Sequence, residues 1–255
     1  GEGGLLEEDV AGALTGKVCI VTGAGGGIGW ELCLLLARRG ATVVMACRRH
    51  SASVHDEPSL TRAGRAAGRI RGLTRNHRVF VEELDLERPD SIKDFAKRIW
   101  SRFGKIHLLV NNAACAPAVR QETEEGMEAQ FAVNVLACHR LIKLFLPQLE
   151  SDDKPCHILN VASKYAGRLQ HEDLQFSSRP YSSHAAYMQS KQALRMLTWG
   201  WADKLRSTCV KVNACHPGVV AGTKVATSLG LRQGSQTAKE AAESVVNIIT
   251  NEEFQ

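Results

Sequence analysis

The chain of 255 residues carries 32 Lys and Arg against 27 Asp and Glu, for a formal charge of +5, and 44% of it is hydrophobic. That length buries a sizeable core as one α/β domain, and the balance of apolar and charged residues is that of a soluble globular protein. Much of the positive charge falls between Arg48 and Arg78, with Arg49, Arg62, Arg65, Arg69, Arg71 and Arg75 between them. No aromatic residues interleave these arginines, so the stretch reads as a solvated helix face and not as a nucleic-acid surface.

Along the chain, short apolar and β-branched runs alternate with helix-length segments. "KVCIVTG" (17–23) precedes a helical pattern from Gly29 to Arg39, and "ATVVMAC" (41–47) precedes the arginine-rich segment. "RVFVEELDL" (78–86) leads to "SIKDFAKRIWSRF" (91–103), and "IHLLVNNAA" (106–114) to a longer helix over 124–149 that ends near Pro147. "CHILNVAS" (156–163) leads through a loop to a helix containing "AAYMQSKQALRML" (185–197), and "CVKVNACHPG" (209–218) through another loop to a helix over 238–250. Strands alternating with helices predict right-handed βαβ crossovers and a doubly wound parallel sheet covered on both faces. No repeat or low-complexity linker divides the chain, so residues 16–255 read as one doubly wound α/β domain behind an N-terminal extension of residues 1–15.

Eight cysteines occur with no C-x-x-C pair, several inside apolar runs where a reduced thiol behaves as a small hydrophobe. A core this large needs no disulfide framework, which points to a reducing, intracellular compartment. No run of 18 apolar residues occurs, so no membrane-spanning segment is expected, and the opening lacks the order of a signal peptide. The expectation is a cytoplasmic protein, or one on the cytosolic side of a membrane if a native anchor has been trimmed. His171, His184 and His216 have no metal-ligand spacing, so no metal is assigned.

"TGAGGGIG" (22–29) lies between the first strand and the first helix, the context in which a glycine turn lets backbone approach a pyrophosphate at a helix N-terminus. The end of the second strand, where an acidic residue accepts the adenosine ribose in NAD-binding proteins, reads Cys47-Arg48-Arg49. Two guanidiniums suit a 2′-phosphate, which favours NADP over NAD. Tyr187 and Lys191 stand four apart and share one side of their helix. A phenol with a pKa of about 10 is a poor acid/base at neutral pH, and a neighbouring ammonium lowers it.

Taken with "NNAA" (111–114), Ser163 and the Tyr187/Lys191 pair, the glycine turn makes the chain resemble the short-chain dehydrogenase/reductase family over nearly its whole length from Gly16. The resemblance implies catalytic roles for four residues. Tyr187 is the acid/base, Lys191 binds the nicotinamide ribose and favours the tyrosinate, Ser163 bonds the substrate oxygen, and Asn134 organises a relay water. It implies cofactor contacts from Gly23, Gly25, Gly27, Ile28 and Gly29, from Arg48 and Arg49, from Asp85 and Leu86, and from Asn111 and Ala113. Pro217, Gly218 and Val220 would lie near the nicotinamide. "VVMACRR", "HPGVV" and "RLQHEDLQFSSRPYSSHAAY" further resemble the retinol-dehydrogenase-like branch, which implies NADP(H) and a small lipophilic carbonyl or alcohol.

Three departures stand out: Ala114 replaces the usual Gly, Gly222 precedes the hydroxyl residue Thr223 by one place, and the sequence stops at Gln255 where family members continue into another strand. Either the chain is truncated or the sheet lacks an edge strand. Cys115 and Cys138 are read as packing, and Tyr181 as a candidate for the substrate cleft. Trp199 and Trp201 with Leu197 and Leu205 form a core or an interface, the latter in a homodimer. A nucleotide-binding module without turnover is the alternative function, since such a module needs the glycine turn but not the four catalytic residues. A sugar-nucleotide epimerase is disfavoured by the short chain and the glycine spacing.

Overall fold

A computed structural model describes residues 12–49, 59–151 and 154–250. Most of the N-terminal extension, the segment after Arg49 and the last five residues therefore lie outside the described residues. Six strands, β1 (Val18–Thr22), β2 (Thr42–Cys47), β3 (Val79–Glu83), β4 (Leu108–Asn111), β5 (Cys156–Val161) and β6 (Val210–Cys215), form one sheet in the order β3-β2-β1-β4-β5-β6. Every pairing is parallel. Such a sheet is buried on both faces, which is why its strands read as continuous apolar runs.

Alternate residues feed two cores. Cys19 and Val21 of β1 join the layer formed by α1 (Gly27–Arg38), α2 (Ser59–Thr74) and α8 (Ala238–Thr250). Ile20 and Val44 join the opposite layer, with α3 (Pro89–Arg102), α5 (Ala137–Leu149) and α6 (Ser183–Lys204). The strand order reverses direction between β1 and β4, and a crevice opens there beyond the carboxyl ends of the strands.

The helix expected over 124–149 starts at Ala129, as α4 (Ala129–Phe131), and runs through a π-helical turn (Ala132–Leu136) into α5. Glu128 sets its start, because its carboxylate accepts the N–H groups of Gln130 and Phe131. Its end at Leu149 is the expected one, two residues past Pro147, which falls in the last turn. This helix, Ala129–Leu149, is long and apolar enough to cross a membrane by length and composition, yet most of it is buried against α3, α6 and the sheet, as a core helix is. The loop expected after β6 contains a short helix, α7 (Lys224–Ser228), begun by the Thr223 hydroxyl accepting the Ala226 N–H.

Candidate active site

A cleft of about 520 Å³ lies at the reversal point, lined by the glycine turn, the ends of β2 and β5, α6 and the segment after β6. Its floor is the turn after β1. A Cβ on Gly29 would run into the Gly23 carbonyl oxygen and come within 2.8 Å of Asn112 Nδ2 and 3.0 Å of Ala24 Cα. Gly23 takes a φ of +67°, and a Cβ there would stand 2.9 Å from Ala113 Cα. Gly26 differs, having only open space around the position of a Cβ. It is also the N-cap of α1 and offers no side-chain acceptor to the first-turn N–H groups. Those N–H groups point toward an open, glycine-lined surface, which fits the pyrophosphate of a dinucleotide.

Thr22, buried at the end of β1, holds the facing loop. Its hydroxyl donates to the Val110 carbonyl and accepts the N–H groups of Asn112 and Ala113 at 3.0 Å each. Asn112 Nδ2 returns a bond to the Thr22 carbonyl at 2.8 Å. Asn111, expected at the cofactor, is instead turned into the core, donating to Asn160 Oδ1 at 2.8 Å. Adjacent strand residues point to opposite faces, so Asn112 takes the place in the cleft wall that was expected of Asn111. Gly23, Gly25, Gly27, Ile28, Gly29, Ala113, Pro217, Gly218 and Val220 all line the cleft, as do Asp85 and Leu86.

At the adenosine end, Cys47 is packed against the turn. Burial pushes its thiol up to about 12, against backbone hydrogen bonds from Ala24 and Gly25 and the positive charge of Arg62. Arg48 lines the cleft and pairs with Glu87 at 3.4 Å, whereas Arg49 is exposed and absent from the lining. The Arg49 backbone carbonyl accepts the Leu60 N–H at the start of α2.

At the other end, Ser182 caps α6 by accepting the Ala185 N–H, and the helix carries Tyr187 and Lys191 into the cleft. Ser163, just beyond β5, accepts the Tyr165 N–H at 3.1 Å and stands close enough to the Tyr187 phenol to act on its proton affinity. Burial raises the Tyr187 pKa above that of a free phenol, and Ser163 offsets part of this. Lys191 is buried at 2% exposure and its pKa is lowered by desolvation, offset in part by the thiols of Cys138, Cys215 and Cys115. The lysine does not lower the phenol's pKa here: its Nζ donates to the Val161 carbonyl at 2.7 Å and lies 5.7 Å from the Tyr187 ring centre.

Asn134 sits in the π-helical turn, fully buried. Its Oδ1 accepts the Cys115 N–H, while Nδ2 donates to the Cys115 carbonyl and to Ser190 Oγ, 3.0 Å away. Ser190 in turn donates to the Tyr187 carbonyl at 2.9 Å. The carboxamide therefore ties the loop after β4 to the helix of Tyr187, and a π-turn widens the backbone at that point. Tyr181 stays out of the cleft lining. Its hydroxyl accepts from Gln130 Nε2 at 2.9 Å and approaches Glu128 Oε1 at 3.3 Å. Trp201 is buried in the core and Trp199 is 57% exposed.

A parallel sheet of this order with a glycine turn at its reversal point defines a dinucleotide-binding α/β protein. The short chain dehydrogenase profile matches residues 17–234. Retinol dehydrogenase 13 of Mus musculus is 38% identical over 240 residues, spanning 91% of this chain and 68% of that protein. Retinol dehydrogenase 12 of Mus musculus is 37% identical over 86% of this chain and 65% of its own length, so the chain spans about two thirds of these relatives. A metagenomic short-chain oxidoreductase solved in complex with NADP superposes with a TM-score of 0.70 at 26% identity, over 95% of both chains. The chain belongs to the short-chain dehydrogenase family, and within it is retinol-dehydrogenase-like.

Residues that sequence reasoning passed over complete the site. Thr22 was hidden in the glycine motif, and Arg62 in a stretch read as a solvated face. Glu87 and the apolar wall residues Val225, Leu229 and Leu231 carry no pattern that marks them. Thr223 reaches the cleft, but its hydroxyl is spent on the Val220 carbonyl and the cap of α7.

Proposed function

We propose that this chain is an NADP(H)-dependent oxidoreductase that interconverts a carbonyl and an alcohol on a small lipophilic molecule. The observation that carries this reading is the Ser163–Tyr187 hydroxyl pair, which lines the same cleft as the glycine turn with Lys191 buried behind it. When bound, a nicotinamide supplies or takes up the hydride. The residues of the chain supply the rest. Gly25, Gly26 and Gly27 receive the pyrophosphate, and Asp85 and Leu86 flank the adenine end. Ser163 donates to the substrate oxygen.

Tyr187, held protonated by its burial, gives its proton to that oxygen as negative charge grows on it. Lys191, now bonded to the Val161 carbonyl, is placed to reach a ribose hydroxyl on the cleft side. Asn134 fixes the backbone on which Cys115 and Tyr187 stand. The apolar side chains of Val133, Val161, Val225, Leu229 and Leu231 exclude water and favour a lipophilic substrate.

Tyr187→Phe keeps ring and helix but removes the proton. Turnover of aldehydes, ketones or retinoids, followed by NADPH oxidation, should fall about 10²–10⁴-fold, the usual contribution of a general acid. NADPH affinity, read by titration, should change little. Near-normal turnover in this variant would refute the mechanism. A parent protein that binds NADPH but turns over none of these substrates would support the binding-module reading instead.

A further inference from the structure

Ser163 and Tyr187 reach the cleft from different elements, the end of β5 and helix α6, with the loop 164–182 between them. Two loop residues hold the serine. The Tyr165 N–H donates to Ser163 Oγ at 3.1 Å, and the Ala166 N–H donates to the Ser163 carbonyl at 3.2 Å. The residues that follow are fastened to α6. The Gly167 N–H donates to the Met188 carbonyl at 3.2 Å, and the Gln170 N–H to Gln189 Oε1 at 3.0 Å. Arg168, between those two fastenings, is held at a φ of +52°, a left-handed backbone that a residue other than glycine keeps only where its neighbours impose it. Gln189 is 1% exposed and uses both ends of its carboxamide. Its Oε1 also accepts from Arg179 Nη2 at 2.8 Å, while Nε2 donates to the Leu174 carbonyl at 2.8 Å and to the Asp173 carbonyl at 3.3 Å. Residues two apart do not share a side of a helix, and Gln189, two beyond Tyr187, does not line the cleft.

We propose that Gln189 is a positioning residue for Ser163: it fastens the start of the loop to α6, so that the Tyr165 N–H holds the serine hydroxyl in register with the tyrosine of that same helix. This rests on the proposed roles of Ser163 and Tyr187. A serine χ1 has three staggered wells, and a fixed N–H on one Oγ lone pair selects among them. The hydroxyl hydrogen is then left for the substrate oxygen, which is the donation the mechanism requires. Because Gly167 and Gln170 take their places from α6, the serine and the tyrosine keep their relation when either element shifts. A glutamine two places beyond the tyrosine carries no signal of this in the sequence.

The test is steady-state kinetics with NADPH and whichever of the aldehydes, ketones and retinoids the parent reduces, comparing Gln189→Met in two backgrounds, the parent and Ser163→Ala. Met keeps the length of Gln but has no N–H to donate and only a weak acceptor. In the parent background kcat should fall about three- to tenfold, the worth of one neutral hydrogen bond, with NADPH affinity unchanged within about twofold. In Ser163→Ala the same substitution should cost less than about twofold, since the group it positions is gone. Amide exchange over residues 165–170, followed by mass spectrometry without substrate, should speed up in Gln189→Met. Tyr181→Phe releases the far end of the loop, where the hydroxyl donates to the Pro117 carbonyl at 3.3 Å, and should leave kcat within about twofold of the parent. Gln189→Glu keeps an acceptor for the Gln170 N–H and should hold kcat between those of Gln189→Met and the parent; it carries the comparison if Gln189→Met binds no NADPH. An undiminished kcat in Gln189→Met, an equal loss in both backgrounds, or an equal loss in Tyr181→Phe overturns the assignment. The roles of Ser163 and Tyr187 survive those results, and fall instead if Ser163→Ala itself keeps the parent's kcat.

Discussion

Two glycines of the turn, Gly26 and Gly29, stand three residues apart and should respond in opposite ways to the same substitution. At Gly29 an added methyl meets backbone on two sides, the Gly23 carbonyl oxygen and Ala24 Cα at 3.0 Å, as well as Asn112 Nδ2 at 2.8 Å. None of the two backbone groups is the far end of a flexible chain, so the turn itself must shift. Overpacking of this kind costs about 1–3 kcal/mol, while Gly→Ala in a helix returns at most about 1 kcal/mol. A Cβ closer to a backbone oxygen than real side chains come belongs at the upper end of that range, about 2–3 kcal/mol, so the net loss of about 1–2 kcal/mol lowers the Tm of a domain this size by roughly 2–8 °C. Because Asn112 is displaced along with the turn, cofactor binding should weaken too. At Gly26 the methyl meets nothing within 4 Å and the φ of 173° is extended backbone open to any residue, so Gly26→Ala should keep the parent Tm. It projects instead into the space where the pyrophosphate must approach, and NADPH affinity should fall by about tenfold or more, the equivalent of one hydrogen bond at that contact. Thermal unfolding without ligand and NADPH titration separate the two effects. An unchanged Tm in Gly29→Ala would refute the steric argument, and normal NADPH binding in Gly26→Ala would refute the placement of the pyrophosphate.

The sheet was legible because both faces of a parallel strand are buried, so runs such as "VVMAC" announce themselves by composition alone. The pair Tyr187 and Lys191 was legible for a different reason: helical spacing fixes which residues share a side. What failed was anything decided by direction at a chain reversal. Asn111 and Asn112 are identical in type, and only the exit angle of β4 determines that the first joins Asn160 in the core and the second reaches the cleft. The same holds for Arg49 and Arg62: the first follows the strand directly yet is exposed, while the second, 15 positions beyond Cys47, lines the cleft. Sequence adjacency places Lys191 beside the phenol but does not show desolvation, which here raises the Tyr187 pKa. A buried carbonyl, that of Val161, takes up the ammonium instead.

Glu87→Gln should strengthen NADPH binding, because it releases Arg48 and removes a carboxylate from the phosphate's surroundings; unchanged or weaker binding in a titration would show that the pair is not at the adenosine end. Its effect on stability should stay below about 1 kcal/mol, as both partners are 40% exposed. The last expectation concerns the loop between Ser163 and α6, which is built around Asp173. Its carboxylate accepts the N–H groups of Ser177 and Ser178 and the Ser178 hydroxyl, and faces Arg179 Nε at 3.4 Å. Gln189, two residues beyond Tyr187, clamps the same loop by donating to the Asp173 and Leu174 carbonyls and accepting from Gln170 and Arg179. Burial alone would raise the Asp173 pKa, but the hydrogen bonds and the arginine outweigh it and hold the value below that of a free carboxyl. A carboxyl whose folded pKa is depressed stabilises the fold fully above its unfolded value of about 3.9 and loses that contribution as pH falls through the folded value. Asp173→Asn removes the charge and turns an amide N–H toward donors, so it should lower Tm at pH 6–7 and loosen the helix end that presents Tyr187. The Tm gap between parent and variant should hold constant from neutral pH down to about 5 and then close as the parent carboxyl protonates. A gap that stays constant down to pH 3, or that widens on acidification, would mean that Asp173 is not held ionised by this loop.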